Sequence, residues 1–241
     1  MIKVLVLTDN VFVFEKFKSI CQQKSRADVV FKFFCSPSSK KNFSDYEDVN
    51  VLDVKNDYES IINNYQLVIS CHCKKIFPEE LVSVVRCINI HPGLNPYNRG
   101  WYPQVFAINN GMPHGATIHE MDEEIDHGNI IAQRNILIDM VDTSADVYDR
   151  VVRAEIELFE QHFDDLIDNT YVAKVMKSEG NYNSIQDFRD ICNIDLDRKG
   201  TFLEFYNLMR SLTHGKYKNA YIIDEQGDKV FLSINIEQNK E

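Results

Sequence analysis

The stretch Cys87–Gly100, CINIHPGLNPYNRG, constrains the fold more than any other part of the chain. An apolar run ends at Ile90 and breaks at His91-Pro92-Gly93, a turn signal. A buried strand that stops there puts Asn89 and His91 at its carboxyl end, where open α/β sheets hold their ligand crevices. Residues two apart on a strand face the same side, so both side chains point into one pocket. An amide that donates a hydrogen bond, next to an imidazole that moves a proton, suits acyl transfer. A second loop, Met121 to Gly128, carries Asp126, a candidate to orient the histidine.

The surrounding pattern is βαβα. Residues 2–7 are apolar with little alternation, as in a parallel strand covered on both faces. The spacing of Phe14, Phe17 and Cys21 predicts a helix over Val11 to Gln23. Strands are expected at Val29 to Phe34, Leu67 to Ser70 and Arg86 to Ile90, with helices at Asp57 to Asn64 and Glu79 to Val85. Polar residues 36–50 read as a loop. Two more strands, Ala116 to His119 and Asn129 to Ile138, flank the Asp126 loop. Thr143 or Ser144 caps a long helix reaching Asp168, whose apolar residues Tyr148, Val151, Val152, Phe159, Phe163 and Leu166 form a core face. This alternation is that of an α/β protein with a Rossmann-like, doubly wound, mostly parallel sheet. The pattern changes from Tyr171, so the expected division is 1–170 for the catalytic domain and 171–241 for an appendage. That appendage should hold a helix over Thr201 to Leu212 and a hairpin from Ala220 to Asp224 and Lys229 to Ile236.

Composition narrows the function. A net charge of −11 argues against a nucleic-acid or anionic-membrane binder. No apolar run is long enough to span a bilayer, and the first residues read as a strand rather than a signal peptide. The six cysteines lie mostly in apolar contexts, as reduced thiols of a cytoplasmic protein do. Cys71-His72-Cys73 lacks a second ligand pair at zinc spacing, so no metal is expected. The first βα turn has no glycine, and no G-x-G-x-x-G or P-loop pattern occurs, which excludes the usual dinucleotide and ATP sites.

Asn89-x-His91-Pro92-Gly93, an Arg99-Gly100 loop and Asp126-x-Gly128 before an apolar strand resemble the formyltransferase fold family that uses N10-formyltetrahydrofolate. The wording Asn98-Arg99-Gly100-Trp101-Tyr102-Pro103-Gln104 is similar to bacterial sugar N-formyltransferases acting on dTDP-linked amino-dideoxy sugars. The resemblance implies Asn89, His91 and Asp126 as the catalytic set, with no covalent intermediate. It implies a folate co-substrate between the Ile76-Phe77-Pro78 loop and the Met121, Asp122 and Ile125 loop. It also implies a role for the appendage in nucleotide-sugar binding and in a homodimer. Asn10, Lys75, Tyr97, Arg99, Trp101, Tyr217 and Tyr221 are the candidate sugar-nucleotide contacts. Both substrates are anionic, so positive charge must gather locally, with Arg99, Lys75 and the Arg210, His214, Lys216, Lys218 cluster as candidates. The preferred amine is dTDP-4-amino-4,6-dideoxyglucose, for surface polysaccharide (O-antigen) synthesis. A dTDP-3-amino sugar, glycinamide ribonucleotide, methionyl-tRNA and simple hydrolysis of the formyl folate are the alternatives.

Overall fold

The structure is a computed structural model and describes residues 1–239. The chain opens with β1 (Ile2–Thr8), α1 (Val11–Gln23), β2 (Val29–Cys35) and β3 (Val49–Val51). Next come α2 (Tyr58–Asn64), β4 (Leu67–Cys71), α3 (Glu79–Val82) and β5 (Arg86–His91). β6 (Arg99–Gly100), α4 (Pro103–Asn110), β7 (His114–Glu120), β8 (Ile130–Ile136) and α5 (Ser144–Asp168) follow. β9 (Tyr182–Asn183), α6 (Ile185–Cys192) and α7 (Phe202–Leu212) lead to two small hairpins. These are β10 (Thr213–His214) with β11 (Tyr217–Lys218), and β12 (Tyr221–Ile223) with β13 (Lys229–Phe231).

One seven-stranded sheet runs in the order β3-β2-β1-β4-β5-β7-β8. The first five strands are parallel, and β7 and β8 complete it antiparallel. The lack of alternation in β1 now has its reason. Val4 and Val6 face α1 and α5, packing with Phe14, Phe17, Phe159 and Phe163, while Leu5 and Leu7 meet Ile61, Phe77 and Leu81 on the other side. Each large apolar side chain so buried contributes about 1.5–3 kcal/mol. Phe17 stacks on Phe159 with centroids 4.2 Å apart, locking α1 to α5 on one face of the sheet.

Local signals set the helix starts. Asn10 Oδ1 accepts from the Val13 N–H at 3.2 Å and begins α1. Thr143 and Asp146 form a capping box that begins α5. Segment 36–50, expected as a loop, contains a 3-10 turn at Pro37–Phe43 and then β3. Its aromatics are responsible: Phe43 and Tyr46 pack edge-on against Phe14. Asp187, Phe188 and Arg189 lie within a short helix, α6, ahead of α7. The C-terminal hairpin is shorter than expected. β13 ends at Phe231; the Leu232 N–H still donates to the Ala220 carbonyl at 2.9 Å, and the Ile234 N–H donates to Thr213 Oγ1 at 3.2 Å.

A separate small core joins α4 to the C-terminal elements: Val105 with Cys192, Leu208, Leu212 and Ala220. The segment between α5 and α6 crosses back over the sheet. Lys174 bridges Ile130, and β9 pairs in parallel with β6 at Arg99 and Gly100. Among the described residues no helix is long and apolar enough to cross a membrane.

Candidate active site

Asn89 and His91 project from one face of β5, as their spacing requires, opposite His119 and Thr117 of β7. His91 is buried against Gly93. A Cβ at Gly93 would lie 2.4 Å from His91 Nε2, so any side chain there would displace the imidazole. Asp126 arrives from the β7–β8 loop, which the Met121 N–H ties to the Cys87 carbonyl at 2.9 Å. The tip of this loop is held tightly. Asp126 is left-handed at φ 51°, and Gly128 passes so close to the Glu120 carbonyl that a Cβ would stand 1.9 Å from its oxygen. The Asp126-x-Gly128 pattern is therefore a packing requirement as much as a chemical one.

The Asp126 carboxylate is a hub. Oδ1 accepts from Asn89 Nδ2 at 3.0 Å, and Oδ2 accepts from the Gly100 N–H at 3.1 Å and lies 3.4 Å from His91 Nδ1. Its own carbonyl accepts from Asn95 Nδ2 at 2.8 Å. His119 is also present, its Nε2 3.3 Å from Asn89 Nδ2 and 3.6 Å from Asp126 Oδ1. Nδ1 of His119 lies 2.6 Å from the Glu120 carbonyl, so it carries the proton and leaves Nε2 to accept from Asn89. An oxyanion bound here thus competes with Asp126 or His119 for an Asn89 N–H. No local sequence signal marks His119 as a site residue, because the cross-strand register that seats it opposite Asn89 is not written locally.

Electrostatics divide the pair. Burial pushes the His91 imidazole down to about 4, although Asp126 pulls the other way. Burial alone would raise the Asp126 carboxyl. The neighbouring His91 and His119 rings and the Gly100 N–H outweigh it and hold the group below the usual carboxylate range. At neutral pH the site is an anionic carboxylate beside a neutral imidazole whose buried Nε2 has no hydrogen-bond partner. That nitrogen can take a proton from a bound group.

The formyl transferase family matches residues 5–162, and the N-formyltransferase dimerization C-terminal domain matches residues 187–238. The chain belongs to the formyl transferase family. It is 42% identical over 237 residues to the dTDP-4-amino-4,6-dideoxyglucose formyltransferase of Mycobacterium tuberculosis, covering 98% of this chain and 97% of that one. It resembles the crystal structure of a 4-N formyltransferase from Francisella tularensis, with TM-score 0.94, 47% identity and 98% of each chain covered. It also resembles a sugar N-formyltransferase from a Shewanella species, with TM-score 0.96, 41% identity and 100% of each chain covered.

In this formyl transferase the remaining candidate residues fall into two groups. Ile76 and Lys75 stand exposed on the loop after β4, and Ile125 and Asp122 flank the Asp126 hub. Tyr97, Trp101 and Tyr217 are at least partly exposed, and Asn10 sits at the end of β1 with Nδ2 donating to Tyr148 at 3.2 Å. The other group is enclosed. Phe77 is core, packed with Leu5, Leu7 and Leu81, and Met121 rests against the same cluster. Tyr221 is in the small C-terminal core, with Lys229 Nζ 3.8 Å above its ring. Arg99 is 8% exposed and is turned to the Asp126 loop, donating from Nη1 to the Ile125 carbonyl at 3.1 Å. Its Nη2 lies 3.8 Å from Glu179. As a result Arg99 braces the loop that carries Asp126. Arg210 is likewise buried, donating to the Asp139 and Asp142 carbonyls at 2.8 and 3.0 Å. Of the expected local cations, Lys75, Lys216 and Lys218 are the exposed ones.

Proposed function

We propose that this enzyme transfers the formyl group of N10-formyltetrahydrofolate to the amine of dTDP-4-amino-4,6-dideoxyglucose. The product then enters surface polysaccharide (O-antigen) synthesis. The observation that carries the reading is the convergence of Asn89, His91 and Asp126 around a buried, unpartnered imidazole nitrogen. Near-full-length similarity to a relative of that name supports the sugar.

In the reaction the unprotonated amine attacks the formyl carbon, and the carbonyl oxygen gains the negative charge. An Asn89 N–H turned to that oxygen contributes about 3–4 kcal/mol in related acyl transfers. His91 takes the proton from the attacking nitrogen and returns it to the departing folate nitrogen, so that one C–N bond forms as another breaks. Asp126 holds the imidazole and stabilises its charged form while the proton is in transit. The exposed loop at Ile76 and the backbone of residues 121–125 take the folate. Asn10, Lys75, Tyr97, Trp101 and Tyr217 face the sugar nucleotide.

Two copies associate through the C-terminal hairpin, where Ile223, Val230 and Phe231 are exposed in one chain. The enzyme acts in the cytoplasm. Purified protein with formyl folate and the dTDP-amino sugar should yield a product heavier by one formyl group. Folate consumption at the same rate without any amine would replace the transferase reading with a hydrolase one.

A further inference from the structure

The strand order reverses between β1 and β4, because β2 and β3 lie on one side of β1 and β4 and β5 on the other. Open α/β sheets hold ligands at such a switch point, outside the carboxyl ends of the strands. Asn10 follows β1, His72 follows β4, and Tyr148 of α5 links them. Asn10 Nδ2 donates to the Tyr148 hydroxyl at 3.2 Å, and that hydroxyl lies 3.5 Å from His72 Nδ1. Behind the ring, His72 Nε2 is 2.7 Å from Glu155 Oε2, and the Cys71 thiol faces Oε1 at 3.9 Å.

Two local rules are broken at this pair. Glu155 is 0% exposed on the apolar face of α5, among Val151, Val152, Leu158 and Phe159. A buried carboxylate is costly, and an apolar side chain of similar volume is often more stabilising. His72 also holds a left-handed backbone at φ 56°, which a β-carbon disfavours. Departures of this kind gather at functional sites. The pair lies near the reacting centre, since Cys71 and Ile90, the residues before His72 and His91, are paired across β4 and β5.

Nε2–H is committed to the carboxylate, which leaves Nδ1 on the crevice side beside a hydroxyl. Asn10, Tyr148, His72 and Glu155 include no Lys or Arg, so the cluster holds no fixed cation for phosphate. It fits a group that both donates and accepts. We propose that Glu155 is a positioning residue that fixes His72, and that His72 Nδ1 and the Tyr148 hydroxyl recognise a sugar hydroxyl on the carbon beside the amine-bearing one. This rests on the amino-sugar reading above.

The test compares dTDP-4-amino-4,6-dideoxyglucose with dTDP-4-amino-3,4,6-trideoxyglucose, which lacks that hydroxyl. Wild type should prefer the first by about 100-fold or more in kcat/KM. His72→Asn, which tolerates the left-handed backbone, and Tyr148→Phe should each lose roughly tenfold on the first sugar, through KM. They should leave the second sugar and the folate KM unchanged. Glu155→Leu should show the same pattern with an unchanged or raised Tm, and Glu155→Gln should recover part of the loss. If Glu155→Leu fails to fold, the other three variants still decide. Equal losses on both sugars, or no preference in wild type, overturn the proposal. A wild type inactive on both sugars overturns the amino-sugar reading itself, and this one with it.

Discussion

At the carboxyl end of β5, side chains are held by many short contacts. Asp126 alone meets Asn89, Gly100 and His91 through its carboxylate and Asn95 through its carbonyl. In β12 and β13, by contrast, Ile223, Val230 and Phe231 are left exposed. The large core beneath the first region includes Phe14, Phe17, Phe159 and Phe163, whereas the C-terminal core among the described residues has five buried residues, one of them Val105 borrowed from α4. The difference separates two tasks. A reacting centre needs groups fixed within a fraction of an ångström, which one chain's own packing can supply. The surface proposed for a second copy must stay uncovered in the single chain.

The largest expected effect breaks the first region alone. His91→Asn should lower kcat by about 10²–10⁴-fold, with nucleotide-sugar affinity by calorimetry nearly unchanged. Asp126→Asn should lower kcat by roughly 100-fold or more and keep a cooperative melt, since an amide can retain several of the hub's contacts. Retention of most of kcat in His91→Asn would remove the catalytic assignment. Gly93→Ala comes next. Its new Cβ would fall 2.4 Å from His91 Nε2, so initial rates should drop about 100-fold.

The second region should respond the other way. A Val230→Asp, Phe231→Asp double variant should dissociate the proposed dimer, raising its Kd by about tenfold or more, while kcat changes little. Light scattering at micromolar concentration reads this, and a wild type already monomeric there would remove the dimer. The smallest effect concerns pH. With His91 pushed down to about 4, it stays neutral from pH 7 to about 5, so the enzyme contributes no acid limb near 6.5 to kcat/KM. The limb enters as pH falls through about 4. The sign for stability follows. Below about 6.5 the unfolded chain binds a proton on His91 that the folded chain refuses, so stability falls as pH drops through that window. An enzyme-derived limb at 6.5, seen with a substrate that does not titrate there, would count against so enclosed an imidazole.

Much of this was legible in the residues. The helix over Val11–Gln23 and the α5 span Ser144–Asp168 have the bounds that periodicity and capping indicate, because those signals act between residues a turn apart. The pairing of Asn89 with His91 follows from strand geometry alone. Arg99 was harder. Its place in an Arg-Gly loop reads as an anion ligand, and only the folded loop shows the guanidinium bracing Ile125. Glu155 sits at helical spacing inside the apolar face of α5, a local anomaly whose partner, His72, lies 83 residues earlier.

The chain by itself determined its elements, the face each strand shows, and the residue types that converge on formyl transfer, since these follow from neighbours along the backbone. Tertiary structure decided which side chains are free to meet a ligand. It placed His119 behind Asn89 and buried Arg99 and Arg210, and it joined Asn10, Tyr148, His72 and Glu155 across the switch point. Those outcomes depend on cross-strand register and helix docking, which set distances between residues far apart in sequence and leave no periodic trace in it.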